Sequence, residues 1–400
     1  MTAATETVTD GRAGAAPERY VFVHGLRGIA ALIVVWSHLS GFWLMETART
    51  SVLQDAWSRW VVRPFHVFQN GGHLGVVLFF LISGFIITHS SLREDRQAFL
   101  VKRSFRIFPP LCFALAVCAV MLAVATRTGT VLHGVRDPGA TSWALGAFVL
   151  DGFVPEGRVL EVTWTLVIEL VFYTMTFALI PLSRTAPLRA TWIMTGAWAV
   201  LTVLFMEIPA LATTANAFTP VYVGFLLVGR LTYLAHRGLA RRSEALVLGV
   251  LVLAAYATFQ ETLQPGFLLT PGGWSGVEPA LTYVYALVAF FALMLAAPRH
   301  LVAPLRFLGD VSYSLYLLHI PVGITVLNLL AVRDVPDSIS TVVAIAASLA
   351  ASALAYRLVE VPAQNAGRAL LRRRTSGTPR AGGGTPRVRV TAGTDGSANG

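Results

Sequence analysis

Ten apolar stretches of roughly 20 residues dominate this sequence, and a helix of about that length crosses the hydrocarbon core of a bilayer. Charged residues make up only 13% of the chain, about half the share found in soluble domains. The pattern therefore predicts an all-α integral membrane protein with about ten transmembrane helices. The predicted spans cover residues 28–45, 73–90, 107–126, 163–182, 190–208, 217–235, 244–260, 279–297, 307–331 and 338–360.

Polar segments flank this apolar body. Residues 1–19 lack the apolar core of a cleaved signal peptide and predict a disordered cytoplasmic tail. Residues 376–400 are rich in Gly, Thr, Pro and Arg, which favours a second disordered tail over a second domain. A single ten-helix domain is then expected over 20–375. The apolar stretch 143–153 is too short to span and is predicted to be an interfacial or re-entrant piece.

The distribution of basic residues predicts the orientation, because cytoplasmic loops retain Lys and Arg during insertion. With the N-terminus inside, 24 of the 31 basic residues fall in inner segments and 7 in outer ones. Both termini are therefore predicted to be cytoplasmic. The net charge of +10 is explained by this topology, so no nucleic-acid partner is expected. The preference for Arg over Lys is typical of a GC-rich genome, and the inner (plasma) membrane of a bacterium is the predicted location.

Two ionisable residues share one face of the first span. Arg27 lies at the predicted cytoplasmic edge, and His38 follows it by three turns, about 16 Å along the helix axis. Ionisable groups near mid-membrane are costly and mark candidate functional sites. A histidine that only joins two helices is the structural alternative, but Arg27 on the same face favours a functional role.

Arg103 and Arg106 form a second candidate pair, in the segment before Pro109 and Pro110. Three residues apart at the start of a helix, they project from one face. Paired guanidinium groups bind phosphates well. Retention of positive charge in an inner loop explains them equally well.

Further polar side chains lie in spans 4 and 9. Glu169 is predicted about 9 Å inside the outer boundary of its span, with Tyr173 one turn further on. Ser312, Tyr316 and His319 form one polar stripe in a Leu-rich helix. A carboxylate or imidazole at such a depth must be paired, hydrogen-bonded or neutral.

Motifs for other chemistries are absent from the sequence. It contains no G-x-S-x-G, HExxH, P-loop or dinucleotide fingerprint. The two cysteines, Cys112 and Cys118, lie in one apolar stretch, which favours packing over a disulfide or metal site. No metal and no permanently bound cofactor are predicted.

Five strings, in this order and spacing, give the chain its resemblance to a known family. They are LRGIAALIVVWSHL, GVVLFFLISGFIITHS, RSFRIFPP, TWTLVIELVFY and LGDVSYSLYLLHIPV. Together they resemble membrane acyltransferase family 3, the O-antigen acetylase type, from about residue 20 to 365. The fused hydrolase-like domain of the larger members has no counterpart in this sequence.

The resemblance implies an enzyme that moves an acyl group, acetyl above all, from acyl-CoA to a hydroxyl, usually of a sugar. It also implies essential roles for Arg27, His38, Arg103 and Arg106. Glu169 and His319 match further polar positions of the family pattern.

These implications give a hypothesis for the mechanism. The three arginines hold the phosphates of CoA at the inner surface, and the thioester approaches His38 through a channel. Imidazole, with a pKa of about 6.5, is the usual base for activating a hydroxyl, so His38 is either that base or a transient acyl carrier. Glu169 is expected to orient His38 or to bind sugar hydroxyls. Acceptor binding is assigned to Tyr173, Tyr316 and His319.

The acceptor remains open between a cell-envelope carbohydrate and a glycosylated natural product such as a macrolide. The outer loop 127–162 is long enough to contribute to its binding through His133, Asp137, Asp151, Glu156 and Glu161. A proton-coupled exporter would also place His and Glu at mid-membrane, although no inverted repeat or matching pair of broken helices is visible. A non-catalytic scaffold would leave His38, Glu169 and His319 unexplained.

Overall fold

The computed structural model describes residues 20–128, 137–154, 156–208, 220–264 and 277–376. Within these ranges the regular secondary structure is helical, and ten helices form the body. They are α1 (Val21–Glu46), α2 (Phe68–Arg93), α3 (Arg96–Arg127), α4 (Glu161–Ala178), α5 (Pro187–Glu207), α6 (Val223–His236), α7 (Arg242–Leu263), α8 (Glu278–Ala296), α9 (Ala303–Ala331) and α10 (Asp337–Arg373).

Nine of these ten described helices are long and apolar enough to cross a membrane, all except α6. Helix α6 has only 14 residues, and every one from Val223 to Leu234 is buried. The prediction of an all-α, multi-pass membrane protein is thus confirmed. The predicted tails and the span boundaries near residue 217 lie outside the described residues.

Where the structure describes the connections between the ten helices, they are short helices and turns. The segment between α1 and α2 contains Val52–Trp57, Ser58–Val62 and Arg63–Phe65. The predicted interfacial stretch 143–153 forms part of the helix Ala140–Gly146 and the turn Asp151–Phe153. Neither is long enough to span a bilayer.

Contacts between helix termini define the two ends of the bundle, which we call the near end and the far end. At the near end, where α1 begins, Arg96 donates to the carbonyl of Ala178 (2.9 Å) and Arg184 donates to that of Glu94. At the far end, where α1 ends, Arg49 pairs with Asp337 (2.8 Å). The sequence predicts that the near end faces the cytoplasm.

Helices α1, α2 and α9 form the centre of the bundle. In the most apolar 18 residues of each helix, 61% of the residues are buried in α1, 78% in α2 and 72% in α9. The corresponding share is only 22–33% in α3, α5, α7, α8 and α10. Apolar residues surround α2 on all sides, as expected for a helix enclosed by others. The outer five helices present their exposed apolar faces to lipid.

Helix α3 begins earlier than the sequence predicts. The expected start was near residue 107, after a loop, but the helix begins at Arg96 and continues through Pro109 and Pro110. Asp95 caps it by accepting the N–H of Ala98 (2.7 Å). Beside the prolines, the Tyr313 hydroxyl of α9 donates to the carbonyl of Ile107 (3.0 Å), which joins α9 to α3.

Arg230 is also placed differently from the sequence prediction, which counted it in an inner loop. It lies inside α6 and is fully buried. Its guanidinium donates to the hydroxyls of Thr191 (2.8 Å) and Ser183 (3.0 Å). Hydroxyl groups of α5 and of the short helix Ile180–Thr185 therefore replace part of the hydration of this cation, whose Nη1 has no partner among the described residues.

Glycines set the close approach of α2 and α6. A Cβ at Gly84 would collide with the carbonyl oxygen of Leu226, and one at Gly229 with that of Leu81. Small residues at such contacts let helix backbones pack closely in membranes.

We expect Gly84→Ala to destabilise the protein by about 1–3 kcal/mol, because overpacking forces the two helices apart. Gly196→Ala is the matched control, since a Cβ there meets nothing within 4 Å. Thermal unfolding in detergent measures both. Equal melting temperatures for the two variants would contradict the close α2–α6 contact.

Candidate active site

Two histidines from the central helices meet inside the bundle. His38 in α1 and His319 in α9 have ring centroids 5.0 Å apart, with Nδ1 of His38 at 3.3 Å from Nε2 of His319. Each lies in a π-helical stretch, Ser37–Phe42 and His319–Ile324. Such stretches are frequent at functional sites, because the wider turn alters side-chain register.

Hydrogen bonds fix the proton positions of the neutral pair. Nδ1 of His38 lies 2.9 Å from the carbonyl of Val34, and Nδ1 of His319 lies 3.0 Å from that of Leu315. A carbonyl can only accept, so each Nδ1 carries the proton, and the single Nδ1–H of His38 is shared between the Val34 carbonyl at 2.9 Å and, as the weaker branch, Nε2 of His319 at 3.3 Å. Nε2 of His38 then holds a lone pair.

That lone pair has no hydrogen-bond partner among the described residues, and the His38 side chain is partly exposed. His319 is fully buried. The pair therefore presents one available basic nitrogen, with its ring held by a buried partner.

The sequence predicted Glu169 as a possible partner of His38, but the described hydrogen bonds of Glu169 go elsewhere. It accepts from Ser83 of α2 and from the Tyr173 hydroxyl (3.3 Å) one turn further along α4. The partner of His38 is instead His319, which the sequence assigned to acceptor binding.

Five of the eight predicted site residues line one cavity, which we call the arginine cavity. The space in it that is open to the centre of a water molecule is only about 60 Å³, so it is small. Its lining residues are Arg27, Val76, Phe79, Phe80, Ser83, Arg106, Ile107, Thr165, Leu166, Glu169, Tyr173, Ser312, Tyr313 and Tyr316.

Arg27 and Arg106 face this cavity without an ion pair or hydrogen bond to another described residue. Glu169 and Glu360 lie close enough to Arg27 to interact with it electrostatically. Glu360 itself accepts from Ser314 (2.7 Å). The two guanidinium groups are therefore free to bind an anionic group.

Arg103 and Arg106 differ in their contacts, although the sequence predicted that they act as a pair. It is buried, donates to the Ser90 hydroxyl (2.6 Å) and lies over the rings of Phe99 (5.5 Å) and Tyr173 (5.8 Å). Its interactions are with the protein rather than with the cavity.

Tyr316 connects the arginine cavity to the histidine pair. Its hydroxyl donates to the carbonyl of Val162 (3.0 Å) and is 2.8 Å from the hydroxyl of Thr165. Its ring lies 6.0 Å from that of His319. These contacts tie α9 to the start of α4 beside the pair.

A second cavity, which we call the near-end cleft, lies at the near end and shares Arg27 with the arginine cavity. The space in it that is open to the centre of a water molecule is about 360 Å³. Its lining residues are Tyr20, Val21, Val23, His24, Arg27, Ile86, His89, Arg299, His300, Leu301, Arg306 and Asp310. Arg27 therefore lies where a basic cleft at the membrane surface meets a small cavity in the bundle.

Sequence reasoning missed several of these residues. Glu360 is an acid within a predicted span, which was a usable signal. Arg299 and Arg306 carried no signal beyond positive charge in an inner loop. Asp310, which also lines the near-end cleft, has a carboxylate oxygen 3.3 Å from Nε2 of His24.

Two acids of the outer loop have local structural contacts. Buried Asp151 accepts the N–H of Val159 (3.0 Å), and burial raises the pKa of its carboxyl. Asp137 accepts from the N–H of Gly139 and from Trp143, and these bonds lower its pKa. His133 lies outside the described residues.

The two arginines of α3 are expected to differ in their effect on stability. Arg103→Ala should lower it by about 2 kcal/mol, because it removes a charge-assisted hydrogen bond and leaves the Ser90 hydroxyl unpaired. Arg106→Ala, which removes no hydrogen bond to a described residue, should change it little. Melting temperatures in detergent measure the stability of both variants. Equal losses of stability would contradict the conclusion that the protein holds Arg103 but not Arg106.

Comparison with known proteins places this arrangement in a family. The sequence profile described as an acyltransferase domain matches residues 20–357. Nodulation protein 10 of Rhizobium leguminosarum bv. viciae is 28% identical over 325 residues, covering 76% of this chain and 85% of that protein. No solved structure matches the sequence.

Two further relatives carry names that describe an activity. The membrane-bound transacylase BcsY of Komagataeibacter xylinus is 26% identical, covering 87% of each chain. The acyltransferase MdmB of Streptomyces mycarofaciens is 25% identical, covering 74% of this chain and 76% of its own. The chain belongs to membrane acyltransferase family 3 and is a multi-pass membrane enzyme that transfers an acyl group from a donor to a hydroxyl-bearing acceptor.

Proposed function

We propose that this enzyme is an O-acyltransferase that takes an acetyl group from acetyl-CoA, with Nε2 of His38 as the base that activates the acceptor hydroxyl. The acceptor is a carbohydrate or a glycosylated small molecule. The observation that carries the proposal is the available nitrogen of His38, whose ring His319 holds from inside the bundle.

Charge and shape support acyl-CoA as the donor. The near-end cleft combines Arg27, Arg299 and Arg306, and guanidinium groups bind phosphates through paired N–H donors. The arginine cavity continues from Arg27 and is too small for a nucleotide, so in this proposal it takes only the pantetheine end of the donor. In this proposal the near end faces the cytoplasm, where CoA is found, and the membrane is the bacterial inner membrane.

The transfer step balances without a further reactant. Nε2 of His38 accepts the hydroxyl proton while the oxygen attacks the thioester carbonyl carbon. The C–S bond then breaks, an ester C–O bond remains, and the imidazolium returns its proton to the thiolate sulfur of CoA. His319 accepts from Nδ1 of His38 throughout and so helps to stabilise the positive charge of that ring.

A transient acyl group on Nε2 of His38 is the alternative route. The same nitrogen would then attack the thioester itself, and the acceptor would react in a second step. Rapid quenching with acetyl-CoA and no acceptor separates the two, since only the carrier route accumulates acetylated enzyme.

His38→Ala is expected to lower kcat for CoA release by about 10²–10⁴-fold, the usual contribution of a positioned base. Binding of CoA should persist, because the alanine removes no phosphate ligand. The assay follows CoA release and transfer from radiolabelled acetyl-CoA by purified protein in detergent. Loss of CoA binding in every form, wild type included, would reject acyl-CoA as the donor and favour the exporter.

His319 is a positioning residue, so its variants should change kcat rather than KM. His319→Ala is expected to lower kcat about tenfold or more with little change in KM for acetyl-CoA, because His38 loses a charge-stabilising acceptor. His319→Gln, which offers an amide oxygen, should recover part of that loss. A purely structural role would lower stability in both variants without recovery of kcat.

Arg27→Ala and Arg106→Ala are expected to raise KM for acetyl-CoA by about tenfold each, the usual effect of one lost charge-assisted contact. Arg59→Ala is the control, because Arg59 is exposed near the far end. The same steady-state assay measures all three. An unchanged KM in both cavity variants would remove these residues from donor binding.

A further inference from the structure

The far end contains a large cavity that the donor does not need, which we call the far-end cavity. The space in it that is open to the centre of a water molecule is about 670 Å³. Its lining residues are Gly41, Phe42, Leu44, Met45, Ala48, Arg49, Thr50, Ser51, Gln54, Asp55, Phe68, Gln69 and Asn70. Helix α1 supplies one wall, and the segment between α1 and α2 supplies most of the rest.

This cavity reaches the histidine pair through one side chain. The ring of Phe42, one turn beyond His38 in α1, lines the cavity and has its centroid 5.4 Å from that of His38. Arg27 lies on the other side of His38 along the same helix. His38 therefore stands between the far-end cavity and the cavities proposed for the donor.

Uncharged hydrogen-bonding groups form part of the cavity wall. Gln54 accepts from the Ser40 hydroxyl (2.7 Å) and donates to the side-chain oxygen of Asn70 (2.6 Å). Trp57 donates to the backbone carbonyl of Asn70 (3.3 Å). The Asn70 NH₂ group has no partner among the described residues, so it remains available as a donor.

The charge of this cavity differs from that of the near-end cleft. Its one lining cation, Arg49, is paired with Asp337 at 2.8 Å, whereas Asp55 has no partner among the described residues. The free Asn70 NH₂ group and the Asp55 carboxylate can hydrogen-bond to hydroxyl groups, and the carboxylate repels phosphates. The chemistry of the wall thus favours a neutral polyol over a second anion.

Backbone strain is concentrated in the same wall. Ala48, Gln69 and Asn70 have φ angles of 52°, 49° and 54°, in the left-handed region that costs residues with a side chain free energy. Strained residues persist where the surrounding structure holds them, and they cluster at ligand sites. Next to them, Gly41 lies so close to the Asn70 amide that a Cβ would displace it.

We propose that the far-end cavity binds the acceptor, with a sugar ring against the Gln54–Asn70 amides and its reacting hydroxyl directed past Phe42 to Nε2 of His38. The inference rests on the proposed function. Donor and acceptor then approach His38 from opposite ends of the bundle, and the acyl group alone crosses the middle. The bonds formed and broken are those of the transfer step above.

A tethered sugar tests this without knowledge of the natural acceptor. Met45 lines the cavity, is 70% exposed, and lies seven residues beyond His38, about 10 Å along the helix. In a variant with Cys112 and Cys118 replaced by alanine, Met45→Cys is labelled with a methanethiosulfonate reagent carrying a glucosyl group. Tethering raises the local concentration of the sugar to about the millimolar range, so weak binding suffices.

Trp60→Cys, labelled in the same way, is the control. Trp60 is 72% exposed near the same end of the bundle but does not line the cavity. After addition of acetyl-CoA, mass spectrometry measures the acetyl group on each tethered sugar. We expect acetylation at position 45 to exceed that at position 60 by about tenfold, from the local-concentration effect, and to disappear when His38→Ala is added.

Two failures are distinguishable. If CoA release depends on His38 but the sugar at position 45 is acetylated no more than that at position 60, the far-end cavity is not the acceptor site and the proposed function stands. If CoA release from acetyl-CoA does not depend on His38, the proposed function itself fails. A folded state for each labelled variant is checked by its melting temperature.

Discussion

The contact between α1 and α9 is the constraint on which the site depends, because each helix carries one histidine of the pair. At Gly28 a Cβ would lie 2.8 Å from the backbone N of Gly309, so only the absence of a side chain permits this approach. At the other end of the contact, a Cβ at Gly323 would lie 2.7 Å from the side chain of Leu39. A shift of either helix by one turn, about 5.4 Å, would separate the two rings completely.

Buried charge explains why the cavities are functional candidates rather than packing defects. A cation inside a membrane protein is costly unless protein groups or water replace its hydration shell. Arg230 and Arg103 meet this requirement in part, through hydroxyl groups and, for Arg103, aromatic rings, while Nη1 of Arg230 and Nε of Arg103 have no partner among the described residues. Arg27 and Arg106 lack such partners among the described residues and line cavities instead. Glu360 interacts electrostatically with both cations and Glu169 with Arg27, and in the proposed function the phosphates of the donor are their further anionic partner.

Much of this arrangement follows from one-dimensional features of the sequence. Span length, the distribution of arginines and the spacing between Arg27 and His38 are properties of single helices. The family resemblance rests on the same local strings. For this reason the membrane fold and the acyltransferase family were predictable without coordinates.

Contacts between helices were not predictable in the same way. The sequence predicted Glu169 as a possible partner of His38 and assigned His319 to acceptor binding, and only the packing of α9 against α1 shows His319 beside His38. Arg103 and Arg106 have the same residue type and share a helix face, yet α2 and α4 provide contacts for only the first. Helix α3 begins at Arg96, where Asp95 caps it, and it continues through Pro109 and Pro110. The spacing of apolar residues in the sequence predicts neither feature.

The position of His38 also bears on how an acyltransferase avoids hydrolysing its donor. Water competes with the acceptor for the thioester wherever both reach the base, and closed sites suppress such side reactions by excluding it. The buried His319 ring and the ring of Phe42 at 5.4 Å cover part of His38, and the arginine cavity is small. If the acceptor displaces the Phe42 ring as it binds, its own hydroxyl takes the place that water would occupy, and opening of the site is coupled to arrival of the correct nucleophile.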